Sequence, residues 1–192
     1  MVVVAELGSL DTTSMIALCA IVFVGMPHGA MDGAMALHLG WMNNIFDAFK
    51  FLIGYIALSA LIVIVWQILP VLSLILFLAI SIWHFGRGDT IEGSSFPKMA
   101  TESISRGGLV IVGISQFHRE ESNRIFRFLV DGDTTYVWYF LDAALLLTAI
   151  SIIICTYLIA NMRRLAILYS ELIVLSVIFA LSPPLLGFAV YF

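Results

Sequence analysis

The chain has 192 residues, 61% hydrophobic and only 11% charged, and its mean hydropathy is +1.06. Soluble domains carry about 25% charged residues, so this composition excludes an ordinary soluble domain and fits an integral membrane protein whose core is set by the bilayer. The formal charge of −4 comes with no basic patch, which argues against a nucleic-acid partner, and Cys19 and Cys155 lack CxxC spacing and read as buried reduced thiols.

The expected fold is all-α: a polytopic transmembrane helix bundle of about six to seven spans, forming one membrane domain over residues 1–192. Met1 to Leu10 has no basic region, so a cleavable signal peptide is not expected and the first span is retained. Span one runs from about Thr13 to Leu39, and Trp41-Met42-Asn43-Asn44 reads as an interfacial exit. Span two covers Phe49 to Leu69, and Pro70 turns the chain into span three, Val71 to Phe85. Gly86 to Ser105 reads as a first polar connection, and Arg106 to Phe117 as a short fourth span rich in glycine.

His118 to Thr135 is a second polar connection, in which Ile125, Phe128 and Leu129 suggest a short helix lying at the interface. Span five opens on Tyr136-Val137-Trp138-Tyr139 and ends near Ala160; Arg163 and Arg164 precede span six, Leu165 to about Leu181. Ser182-Pro183-Pro184 breaks that helix, and a last apolar stretch runs from Leu185 to Phe192. Placing the N-terminus outside gives the inner side Lys50, Arg87, Lys98, Arg163 and Arg164, the orientation that the distribution of basic residues favours.

The polar residues inside apolar runs carry the chemical information. Gly25-Met26-Pro27-His28-Gly29-Ala30-Met31-Asp32-Gly33 puts an imidazole, a carboxylate, a proline and three glycines into span one. Ionisable groups at such depth are costly and tend to be functional. Asp32 follows His28 by one helical turn, so the two share a face. Neutral imidazole suits iron, zinc, copper or nickel, and a ligating histidine usually gives its other N–H to a carboxylate. A weak echo appears at His84-Phe85-Gly86-Arg87-Gly88-Asp89. Spacing alone leaves two readings open for His28 with Asp32, a metal ligand or an interhelical polar contact. Alone, His84 reads as an interfacial residue at a helix end, His38 as reaching the interface, and His118 as a loop or cap residue. Asp142 reads as a helix-terminus carboxylate, whereas Glu171, inside span six, stays open. A haem-binding electron carrier with axial His28 and His84, and a transporter with a broken first helix, both remain compatible with these residues.

Two strings also carry a resemblance. Gly25-Met26-Pro27-His28-Gly29-Ala30-Met31-Asp32 resembles the Gly-x-Pro-His-Gly-x-x-Asp signature of the Brp/Blh family of membrane β-carotene 15,15′-dioxygenases. Ile82-Trp83-His84-Phe85-Gly86-Arg87-Gly88-Asp89 is similar to that family's second motif, a span ending in His-Phe-Gly-x-x-Asp. Arg106-Gly107, Phe117-His118 with Glu120 and Glu121, and the ending from Pro183-Pro184 to Tyr191-Phe192 are similar as well.

The resemblance implies cleavage of the central double bond of β-carotene by O2 to give two retinals. It implies ferrous iron, Fe(2+), held by four histidines, two of which carry over onto His28 and His84, with Asp32 and Asp89 orienting them. The other two belong to a His-x-x-x-His motif after the Pro-Pro segment, and Phe192 precedes its expected place. The chain is therefore expected to be a fragment truncated at its C-terminus, inactive without that motif. A bacterial or archaeal cell membrane and a functional link to a retinal-binding rhodopsin complete what the resemblance implies.

Overall fold

The computed structural model describes Met15, Ile16, Cys19, Phe23 and residues 31–88, 90 and 95–191. All regular structure among these residues is helical, as the composition predicts. The chain divides into two compact units, one ending at Leu69 and one running from Pro70 to Tyr191.

In the first unit a helical segment over 31–38 ends in a glycine cap. Gly40 has φ +72°, where a side chain would be strained. Its N–H reaches Leu37 O at 3.1 Å and that of Trp41 reaches Ala36 O at 2.9 Å, the paired closure that satisfies the last carbonyls of a helix. The expected exit at Trp41 follows from this turn. Helix α1, Ile45–Ile68, starts on Asn44, whose Oδ1 accepts from Asp47 N at 3.0 Å. Beyond Asp47 and Lys50 near its start the helix is apolar on all sides, and it buries no residue, the pattern of a segment made for lipid.

The second unit begins with α2, Pro70–Gly88, directly after Leu69, so the turn expected at Pro70 is present. Proline suits a first helical position because its missing N–H has no partner there. Leu74, Leu78, Ser81, Ile82 and Gly86 form its buried stripe. Helix α3, Phe96–Gly108, follows; a π turn, Leu109–Gly113, and a short α4, Ile114–Phe117, continue it. Helix α5 is Arg119–Val130, α6 Thr135–Leu158, α7 Met162–Leu181 and α8 Pro184–Tyr191. Along α6 the buried residues Val137, Leu141, Ala144, Thr148, Ser151 and Cys155 alternate in steps of four and three, one continuous seam. Two small apolar clusters, Val110 with Ile114 and Phe179, and Cys155 with Leu168 and Leu172, tie the central helix to α6 and α7.

The structure corrects several boundaries. Four helices among the described residues, α1, α2, α6 and α7, are long and apolar enough to cross a membrane, which supports the helical membrane bundle but not the count of six to seven spans. Most of span one lies outside the described residues. The polar connection expected over Gly86 to Ser105 is half helix: α3 starts at Phe96 and runs unbroken into the expected fourth span. Its first half is polar on average yet buries Glu102, Ser103 and Ser105, so an average over the stretch hides a one-sided helix. The last stretch forms only the eight residues of α8. Helix α5 exists as expected, but Ser122, Phe126 and Val130 face the core, whereas Phe128 and Leu129 are exposed.

Candidate functional site

The chemistry singled out in the sequence falls partly within the described residues. His28 and Asp89 lie outside them. Asp32 stands exposed on the helical segment 31–38 and accepts from the Tyr55 hydroxyl of α1 at 3.4 Å, a long contact. His38 is exposed as expected.

His84 sits one turn before the end of α2. It shares a helix face with Phe77 and Ile80, and all three are exposed. The imidazole therefore points away from the core of the second unit. Its neighbour Phe85 anchors the segment. The Phe85 ring packs edge-on against His84 at 5.6 Å and against Phe188 and Tyr191 of α8 at 5.7 and 5.5 Å.

Two glycines bring the backbone beneath His84 hard against α3. A Cβ on Gly86 would overlap the carbonyl of Ser103, and one on Gly107 would overlap that of Ile82 and lie 2.7 Å from Gly86 N. The end of α2 is closed by Arg87 Nη1, which donates to Thr90 Oγ1 at 2.9 Å. The Thr90 hydroxyl in turn donates to Arg87 O at 2.9 Å. No group of three or more His, Cys, Asp or Glu side chains gathers to hold a metal ion among the described residues.

His118, expected as a loop or cap residue, stands at the N-cap position of α5, but its ring makes no cap hydrogen bond there and serves a distant backbone group. Its Nε2 lies 2.9 Å from Phe179 O and donates to it. The helical partner of that carbonyl would be the N–H of residue 183, which is proline and has none. Asp142 lies inside α6 rather than at its end. It accepts from Arg119 Nη1 and Nη2 at 2.9 and 3.2 Å and from Gln116 at 2.8 Å, while Arg119 also covers the Trp138 ring at 4.2 Å. In the loop before α6, hydrogen bonds from the Thr135 hydroxyl and backbone N–H hold the Asp133 carboxyl below the usual carboxylate range.

Sequence reasoning missed a buried polar cluster of the second unit. Arg106 of α3 is buried with Glu102, one turn before it, which accepts from Nε at 3.3 Å and Nη2 at 3.1 Å. The remaining arm, Nη1, pairs with Glu171 of α7. The i, i+4 spacing of Glu102 and Arg106 was a readable signal. Glu102 falls in the stretch expected as a polar connection and Arg106 opens the expected fourth span, so the pair straddles an expected boundary. An apolar cleft of about 290 Å³ lies between α2, α3 and α6, lined by Ala79, Ile82, Trp83, Phe140, Ala144 and Leu147 among others.

Comparison with known proteins supplies the family. No solved structure matches the chain. A protein of an uncultured marine bacterium, 66A03, named beta-carotene 15,15′-dioxygenase, is 33% identical over 177 residues, which cover 92% of this chain and 64% of that protein. The chain thus spans a little under two thirds of that relative's length. The family model described as beta-carotene 15,15′-dioxygenase matches residues 19–192. With nearly the whole sequence inside that match, and an apolar helical architecture consistent with it, the chain belongs to the beta-carotene 15,15′-dioxygenase family.

Proposed function

We propose that this protein carries out the oxidative cleavage of the central double bond of β-carotene with O2, giving two retinals. The observation that supports this most directly is the family match over residues 19–192, which contains both histidine motifs. His28 and His84 serve in this reading as ligands of ferrous iron, together with further donors. The donor chemistry fits: imidazole binds iron well and leaves the ligand set neutral. His84 fits too, because its ring stands outside the packed core of its unit. Bound iron supplies the redox activation of O2.

The chain's own residues hold and orient. Asp32 and Asp89 take the second ring N–H of His28 and His84 and fix which nitrogen faces the ion. The packing of Phe85 on Phe188 and Tyr191 keeps the His84 turn from swivelling. The apolar cleft beside Trp83 and Phe140 offers a hydrocarbon wall for part of the polyene, and the bilayer delivers a substrate that needs no charged anchor. We place the protein in the cell membrane of a bacterium or archaeon with its N-terminus outside, and a retinal-binding rhodopsin is a fitting consumer of the product.

The test is expression of the complete reading frame in β-carotene-producing cells, with retinal and residual carotenoid measured by chromatography. Retinal should accumulate as colour is lost. His28→Ala and His84→Ala should each reduce retinal at least 100-fold, on the order of the loss that removal of a metal ligand's support already produces. Wild-type retinal yields from either variant would overturn the ligand assignment.

A further inference from the structure

A charge at the centre of α7 plays no part in the proposed cleavage. Glu171 stands midway along Met162–Leu181, among apolar residues. A carboxylate at that depth is expensive and marks a functional position by default. Arg106 and Glu102 are nearly buried, with side chains 9% and 6% exposed, whereas that of Glu171 is 44% exposed. Glu171 opens onto a cleft of about 420 Å³ lined by Arg106, Ser170, Glu171, Leu172, Val174 and Leu175. Three residues beyond Arg106 the helix loosens into the π turn Leu109–Gly113, a departure that concentrates at functional sites.

The charges select the ligand. Two carboxylates face one guanidinium, and neither pairs with a second cation among the described residues. An anionic head entering the cleft would meet this surplus of acceptors, and a head that only accepts hydrogen bonds would gain little. Arg106 uses three of its five N–H groups on the two glutamates. A hydroxyl matches both needs, since it donates to the second oxygen of Glu171 and accepts from an unspent N–H of Arg106. Leu172, Val174 and Leu175 provide walls for a hydrocarbon body.

We propose that the cleft between α3 and α7 binds a lipid-soluble alcohol, with its hydroxyl between Glu171 and Arg106 and its apolar body along α7. The proposal does not depend on the cleavage reading. Three probes share one polyene body and differ only in the head: all-trans-retinol, retinal and retinoic acid. Their affinities for the purified full chain in detergent are read by quenching of tryptophan fluorescence.

The expected order is alcohol, then aldehyde, then acid, with at least tenfold between first and last. Glu171→Leu should bring the alcohol down to the aldehyde's level while the Glu102–Arg106 pair stays intact. Val174→Trp, at a position 56% exposed, should fill the cleft without overpacking the core and weaken all three probes at least tenfold. Equal affinity for the three heads in the unaltered protein overturns the proposal, and so does undiminished retinol binding in Val174→Trp. Retinal production from β-carotene, followed separately, bears on the cleavage reading and leaves this result untouched.

Discussion

His118 illustrates how one residue can be read correctly for its type and still need the structure for its role. An imidazole at the head of a polar loop signals a cap, but only the fold shows which backbone group it serves, the Phe179 carbonyl left open by Pro183. Removing the ring leaves a buried acceptor unpaired, which costs about 1–3 kcal/mol. His118→Ala should therefore lower the melting temperature in detergent, followed by circular dichroism, and His118→Gln, which keeps a donor, should recover part of the loss. On the proposed iron-ligand reading, iron content should stay at the unaltered value in both, because the ring already spends its Nε2 on the backbone. A fall in bound iron with His118→Ala would show that the residue belongs to the proposed metal site. Glu171 is the converse case. Its depth in an apolar run was legible, but its partner Arg106 was not. The two are 65 positions apart, and contact across that separation leaves no periodic trace.

At the scale of elements, punctuation was legible and burial was not. Pro70 and Pro183-Pro184 mark ends that the backbone enforces locally, and the structure puts helix boundaries at each. Helix α3 is hidden because Lys98 and Glu102 read as loop polarity and Arg106 as the start of a new span, although the same stretch supplies the face against which α2 packs. That contact rests on missing side chains. Gly107→Ala puts a methyl group into the Ile82 carbonyl, and backbone cannot move aside as a flexible side chain can. The cost should be about 3 kcal/mol, the upper end for overpacking. Gly88→Ala is the control, since a Cβ there meets nothing within 4 Å. It should change stability by no more than about 0.5 kcal/mol. Chemical denaturation of the two variants in the same detergent decides the matter, and equal midpoints would mean that α2 and α3 do not pack as closely as described.

For the molecule as a whole, composition alone announces a membrane protein, while the number of spans and the division at Leu69 depend on which helices close on one another. The cluster Glu102–Arg106–Glu171 is the point at which whole-molecule stability and function can be separated. Burying charges is costly, and a buried ion cluster often stabilises no better than apolar residues of the same volume. Breaking such a cluster from one side is far worse, because the charges left behind have lost their partner.

Arg106→Met should thus destabilise the second unit by about 3–5 kcal/mol. The triple replacement Glu102→Met, Arg106→Met, Glu171→Leu should instead come out between neutral and about 4 kcal/mol more stable. Denaturation midpoints for the single and triple variants test this. A triple variant as unstable as the single would make the cluster a structural necessity of the fold. A triple variant that is stable would leave stability unable to account for three charges in an apolar bundle, and the cleft at Glu171 is where their use should then be sought.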